Sequence, residues 1–92
     1  MDIDKVIHQP IRTKILAYLT HHGRCDYVTL KKQLNLTDGH MTTHMRELIG
    51  KTYVEVEKSF VNNKPKTTYT LSALGKQRFQ EYISTLQSIL NG

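Results

Sequence analysis

The stretch "LNLTDGHMTTHMRELIGKTYVEVEKSFVNNKPKTTYTLS", residues 34–72, changes its periodicity halfway. Met41, Met45, Leu48 and Ile49 recur three and four apart, the spacing of a helix with one apolar stripe. Thr37 and Asp38 stand where caps belong, and Gly50 loosens the end, so a helix is expected from there to about Lys51. Past Gly50 the period falls to two. Val54-Glu55-Val56-Glu57 and Thr68-Tyr69-Thr70-Leu71 alternate about "NNKP", which is turn chemistry, and a hairpin is predicted over residues 53–71.

Upstream of that pivot lie two more helical patterns. Pro10 suits the first position of a helix whose Ile11, Ile15, Leu16 and Leu19 face a core, with "HHG" as its stop. Ahead of it, Ile3, Val6 and Ile7 have helical spacing, with Asp2 available to cap that turn. "CDYV" allows only a strand fragment. Asp26 or Thr29 could then cap "LKKQLNL", with Leu30, Leu34 and Val28 facing inward. About three residues, Asn35-Leu36-Thr37, join this helix to the next, which is the connection of a helix-turn-helix spanning about residues 28–51. Ser72 caps a final long helix to about residue 90. The expected fold is mainly α with a small β-hairpin: a winged helix-turn-helix with an additional long C-terminal helix, in a single domain over residues 1–92.

Composition narrows the partners. Of 92 residues, 13 are Lys or Arg and 8 are Asp or Glu, a formal charge of +5, which suggests a polyanionic partner. Between Glu57 and Glu81 there is no acidic residue, whereas Lys58, Lys64, Lys66, Lys76 and Arg78 fall inside that interval. No apolar run is long enough for a bilayer, and Met1-Asp2-Ile3-Asp4 lacks the basic start of a signal peptide. The single Cys25 cannot form an internal disulfide, in keeping with a reducing cytoplasm.

The outward side of the third helix carries Gly39, Thr43, Arg46, Glu47 and Gly50, flanked by His40 and Thr42. A merely solvated helix is usually rich in Lys and Glu; small hydroxyl residues and one Arg suit close approach to base edges and phosphates. Its N-terminal N–H groups could also take a phosphate. Lys58, Asn62, Asn63, Lys64 and Lys66 surround the hairpin tip, where cations could meet an adjacent strand or simply block edge pairing. The candidate DNA-contacting set is therefore Thr37, Gly39, His40, Thr42, Thr43, Arg46 and those five wing residues. In the last helix, Phe79, Tyr82, Ile83, Leu86, Ile89 and Leu90 form a stripe suited to a helix-to-helix seam between two copies, which Ile3, Val6 and Ile7 could complete.

These motifs resemble the small stand-alone winged-helix transcriptional regulators, distantly related to the MarR and ArsR groups. Leu36 through Leu48 are similar to that family's "L-[ST]-D-G-x-L-[ST]-x-H-[LM]-x-x-L" recognition helix. Tyr53-Val54 match its step into the wing, Lys64 through Ser72 its return strand, and Gly75 its early glycine in the last helix. The likeness runs over about residues 5–90. One departure is Gly50-Lys51-Thr52-Tyr53, where the family's adjacent glycine and tyrosine are separated. The resemblance implies a cytoplasmic transcription factor binding duplex DNA as a homodimer, with no cofactor and with operator, effector and sign of regulation open.

Three other classes fit the sequence less well. Catalysis lacks any Gly-rich phosphate loop, nucleophile triad or paired-carboxylate site. A metal-responsive repressor would draw on His40 and His44, four apart, or on His21, His22 and Cys25. No carboxylate or Cys has matching spacing beside the first pair, His21 and His22 suit an exposed helix C-terminus, and a metal site is not expected. A winged helix serving only as a protein–protein interaction module is disfavoured by the basic hairpin.

Overall fold

The structure, a computed structural model, describes residues 2–92. Its elements run α1 (Pro10–His22), β1 (Cys25–Asp26), α2 (Tyr27–Gln33), α3 (Asp38–Gly50), β2 (Val54–Val61), β3 (Lys64–Leu71) and α4 (Ala73–Asn91). The sheet is antiparallel in the order β1-β3-β2, so the two-residue fragment at Cys25 pairs with Tyr69 and Thr68 and makes the hairpin three-stranded at its base. Ile15, Leu16 and Leu19 of α1, Leu30 of α2, and Met41, Met45 and Leu48 of α3 meet Val54, Tyr69 and Leu71 of the sheet in one core. This is the winged helix-turn-helix expected from the period change.

Caps fix the start of each helix. Pro10 begins α1 behind Gln9, whose side chain accepts from the Arg12 N–H. Asp26, rather than Thr29, caps α2: its carboxylate accepts from the Thr29 N–H at 2.7 Å, which together with Lys66 holds that carboxyl below its usual range. Val28, expected inward, is 71% exposed, because α2 turns only Leu30 fully into the core. Ser72 caps α4 through the Gly75 N–H, while its own hydroxyl donates to the Thr52 carbonyl at 2.6 Å.

The ends of α2 and α3 share one device. The Asn35 N–H reaches the Lys32 carbonyl and the Leu36 N–H that of Lys31, with Asn35 left-handed at φ 53°. After α3 the Thr52 N–H reaches Ile49 and the Tyr53 N–H reaches Leu48, with Thr52 at φ 60°. Both are paired closures around a left-handed residue, a position usually given to glycine or asparagine. The pivot expected at Gly50 therefore lies two residues later, at Thr52; Gly50 is an ordinary helical residue. The wing closes through Asn62 and Asn63, both left-handed, as a two-residue hairpin turn demands. Lys64 and Pro65, read with the turn, instead begin β3, and Pro65 pairs opposite Phe60 beyond the reach of β1. That edge is unpaired there, so proline's missing N–H disrupts no ladder.

The N-terminal segment is tied down, and by a different residue from the one expected. Asp4, not Asp2, accepts the N–H groups of Val6 and Ile7, and its second oxygen accepts from the Tyr53 hydroxyl at 2.6 Å. The Ile7 carbonyl accepts from Thr13 Oγ1, and His8 Nδ1 lies 2.8 Å from the Tyr82 hydroxyl. Ile7 is consequently fully buried within its own protomer, as are Phe79 and Tyr82 to within a few per cent. These three cannot line a seam between copies as their spacing suggested. Ile3, Val6, Ile83 and Leu86 are half-buried, whereas Ile89 and Leu90 stand in solvent.

Candidate nucleic-acid interface

Burial of Met41, Met45 and Leu48 fixes the rotation of α3 and turns Gly39, Thr42, Thr43, Arg46, Glu47 and Gly50 outward, all exposed. A shallow groove runs between this helix and the wing, with Thr42 and Arg46 on one bank and Lys58 and Thr67 on the other. Tyr27 lies at its α2 end. Strand pairing places Val56, Lys58 and Phe60 on the same face of the ribbon as Tyr69, Thr67 and Pro65. That face looks along α3.

The lysines of the wing do not act as one cluster. Lys58 joins the α3 groove, while Ser59, Val61 and Lys66 line a separate hollow against α1 and β1, and by alternation Lys64 shares their face. Lys66 Nζ lies 3.7 Å from Asp26, and Arg24 pairs with Glu57 beside it. Two ion pairs thus tie the back of the wing to β1 and the root of α2. Asn62 and Asn63, expected among the contacting side chains, also supply the turn backbone.

The start of α3 is partly occupied. Thr37 Oγ1 accepts from the His40 N–H at 3.0 Å, and His40 Nδ1 accepts from the Thr37 N–H at 3.1 Å, a reciprocal capping pair. Asp38 adds a carboxylate to the first turn, where the helix dipole favours it. Lys31 Nζ, 2.7 Å away, and the Tyr27 hydroxyl bond that carboxylate and hold its pKa low, while the same contact pushes Tyr27 up to about 12. The helix end offered to a phosphate is thereby occupied in part by the chain's own groups. Thr37 and His40 remain exposed at the edge of the interface, but their side chains serve first as caps.

His44 sits on the inner flank of α3 with Nδ1 at 3.2 Å from Arg12 Nη1. Arginine can only donate, so Nδ1 is the acceptor and the ring carries no proton there. Burial, then Arg12 and His40, lower its pKa. Arg12 also donates from Nε to the Val6 carbonyl, so one guanidinium links the N-terminal turn to α3. His22 stacks on Tyr18 with ring centroids 4.1 Å apart, and Cys25 is buried with its thiol pKa raised by that burial. Among the described residues no three His, Cys, Asp or Glu side chains gather around one point. Among the described residues no helix is long and apolar enough to cross a membrane.

The contributions of Arg12 and Tyr27 were not anticipated. Tyr27 follows the α2 cap directly and could have been found once Asp26 was chosen. Arg12 lies on the polar side of α1, and nothing local in the sequence points to its partner 32 residues away.

Comparison with known proteins agrees with this geometry. A curated protein from Methanocaldococcus jannaschii, itself uncharacterized, is 35% identical over 79 residues, covering 86% of each chain. The solved structure of a transcriptional regulator homologue from Pyrococcus horikoshii OT3 superposes with a TM-score of 0.88 at 23% identity, over 95% of this chain and 86% of that one. An ArsR family transcriptional regulator superposes at 0.65 with 12% identity, over 96% of this chain and 86% of the other, which is a likeness of fold. Residues 11–90 match the model of a family described as a winged helix DNA-binding domain, and the chain belongs to that family.

Proposed function

We propose that this chain is a sequence-specific transcriptional regulator that binds duplex DNA as a homodimer on a palindromic operator. The carrying observation is the groove itself: Thr42 and Arg46 on α3 face Lys58 and Thr67 on the wing, with the core locking both banks. Arg46 is free to take guanine by two parallel bonds or a phosphate by one, and the threonines admit close approach to base edges. Lys58 on its strand, and Lys64 at the tip, would neutralise phosphates flanking the groove that α3 enters. Glu47, the one acid on the outward face, would reject a phosphate and so favours a register in which it points at a base edge.

A single module of this size reads few base pairs. Ile83 and Leu86, half-buried against the core, lead along α4 to exposed Ile89 and Leu90, and this apolar stripe suits a seam with a second copy. Two copies about a two-fold axis would read half-sites about 34 Å apart.

The test is mobility shift against duplexes selected from a random pool, repeated across a salt series. The parent chain should shift them with an affinity that falls steeply as salt rises. The double substitution Thr43→Glu with Arg46→Glu, both outside the core, should abolish the shift and leave thermal unfolding unchanged. A folded double variant that still shifts its duplex like the parent refutes this assignment.

A further inference from the structure

Phe60 is 77% exposed in the outer half of the wing, the least expected place for a phenyl ring in a chain with two phenylalanines. Its cross-strand partner is Pro65, so the ribbon presents two rigid apolar side chains directly opposite one another. The left-handed pair Asn62-Asn63 closes the ribbon just beyond them, which keeps the tip narrow. Lys58 precedes the ring by two residues on the same face, Lys64 adjoins Pro65 from the opposite face at the tip, and no acid lies between Glu57 and Glu81. An apolar pair with one cation on its face, another at the tip behind it and no acid beside it fits a polyanion with apolar walls, which describes the sugar-lined minor groove of duplex DNA.

Reach supports that fit. Phe60 shares its face with Val56 and Lys58, the residues that line the groove with Arg46. At about 3.3 Å per strand residue, it lies roughly 13 Å beyond Val56 along the ribbon. A major groove is about 12 Å wide, so a ribbon leaving α3 inside it would carry the ring past the bordering phosphates to the neighbouring minor groove. That groove is about 6 Å wide, too narrow for a two-stranded ribbon but open to the edge of one ring.

We propose that Phe60, backed by Pro65, is an apolar wedge that the wing seats in the minor groove beside the major groove read by α3, where it selects easily deformed base steps. This rests on the DNA-binding reading above. A wedge of this kind partly unstacks the step it enters, and pyrimidine–purine steps such as TA and CA unstack most readily. Phe60 would then give sequence preference at positions outside the reach of α3, with no hydrogen bond to any base.

The chain contains no tryptophan, so Phe60→Trp installs a single reporter at the site. Its emission should change in step with the mobility shift as duplex is added. Phe60→Ala should weaken binding roughly tenfold with an unchanged slope against log salt, whereas Lys58→Ala should lower that slope by about one. Duplexes selected by the parent should be enriched in TA or CA steps outboard of each half-site, and those selected by Phe60→Ala should not. Emission unmoved by saturating duplex, while the shift persists, overturns the wedge and leaves the regulator reading standing. Emission that instead changes with protein concentration in the absence of DNA assigns the ring to contact with a second copy and equally overturns it. A parent chain that shifts no duplex removes both readings together.

Discussion

Replacing Thr52 by glycine should make this protein more stable, although Thr52 is exposed and its substitution adds no contact. Thr52 holds φ at 60°, and the backbone bonds from Thr52 and Tyr53 to Ile49 and Leu48 enforce that value. A side chain in this conformation crowds the following carbonyl at about 1–2 kcal/mol, and a β-branched one is worse placed than most. Glycine removes that strain but enters the unfolded chain with more freedom, an opposing effect of about 0.5–1 kcal/mol. The exposed hydrogen bond from Thr52 Oγ1 to the Lys51 carbonyl is also lost, and it contributes little in water. The expected balance is a gain of about 0.5–1 kcal/mol, or a rise of roughly 2–8 °C in melting temperature for a chain of this size. Thermal unfolding at matched protomer concentration, followed by circular dichroism, measures it. Thr52→Ala is the control, since it removes the hydroxyl and keeps the Cβ that causes the strain. It should show little or no gain. If Thr52→Gly is no more stable than Thr52→Ala, left-handed strain at Thr52 is not the operative effect and the assignment of the pivot fails.

Further outcomes follow from the packing. Gly75→Ala should destabilise by about 3 kcal/mol or more, since a Cβ there would lie 2.1 Å from the Tyr53 carbonyl oxygen, whereas Gly39→Ala, with only ordinary contact to Thr37, should not; urea unfolding distinguishes them. His44, with a pKa lowered in the folded state, binds fewer protons folded than unfolded, so stability should fall as pH drops below the ordinary histidine value of 6.5 and be unaffected above it. His44→Gln should flatten that part of a stability-against-pH curve. Asp26→Ala should cost about 1 kcal/mol through loss of the α2 cap, measured by thermal unfolding, and should also release Lys66.

The parts of the fold legible in the sequence were those in which a period repeats. Met41, Met45 and Leu48 announced α3 and its rotation, and alternation through Val54 and Val56 and through Tyr69 and Leu71 announced the hairpin. Its register, by contrast, follows from a turn of only Asn62 and Asn63, two residues shorter than the "NNKP" read from the sequence. The outward placement of Thr42, Thr43 and Arg46 followed from that rotation alone. Long-range pairings were not legible, because they depend on which surfaces meet. β1 contains two residues and has no period; only Tyr69 and Thr68 make it a strand. Ile7, Phe79 and Tyr82 have the spacing of an exposed seam and of a core equally, and the N-terminal turn pinned by Asp4 and Arg12 decides for the core. The separation of Lys58 from Lys64 and Lys66 was implicit in the alternation but hidden by counting charge along the chain instead of by face.

The fixed relation between helix and wing comes from one small junction. The Tyr53 carbonyl, immediately after the left-handed Thr52, accepts from the Ser72 N–H at 3.0 Å and lies against Gly75, where only a hydrogen leaves room. Ser72 Oγ donates back to the Thr52 carbonyl while accepting the Gly75 N–H. The end of α3, the entry to β2, the exit from β3 and the start of α4 therefore meet at four consecutive contacts. Asp26 and Lys66 brace the other edge of the wing against α2. A reading helix and a ribbon that could swing independently would lose entropy on every binding event, and bases at their two sites would be read without a fixed spacing. Held at both edges, α3 and the wing present one preformed surface, so under the regulator function proposed above a change at the junction should alter the spacing of the bases selected from a random duplex pool even where Thr42, Arg46 and Lys58 are intact.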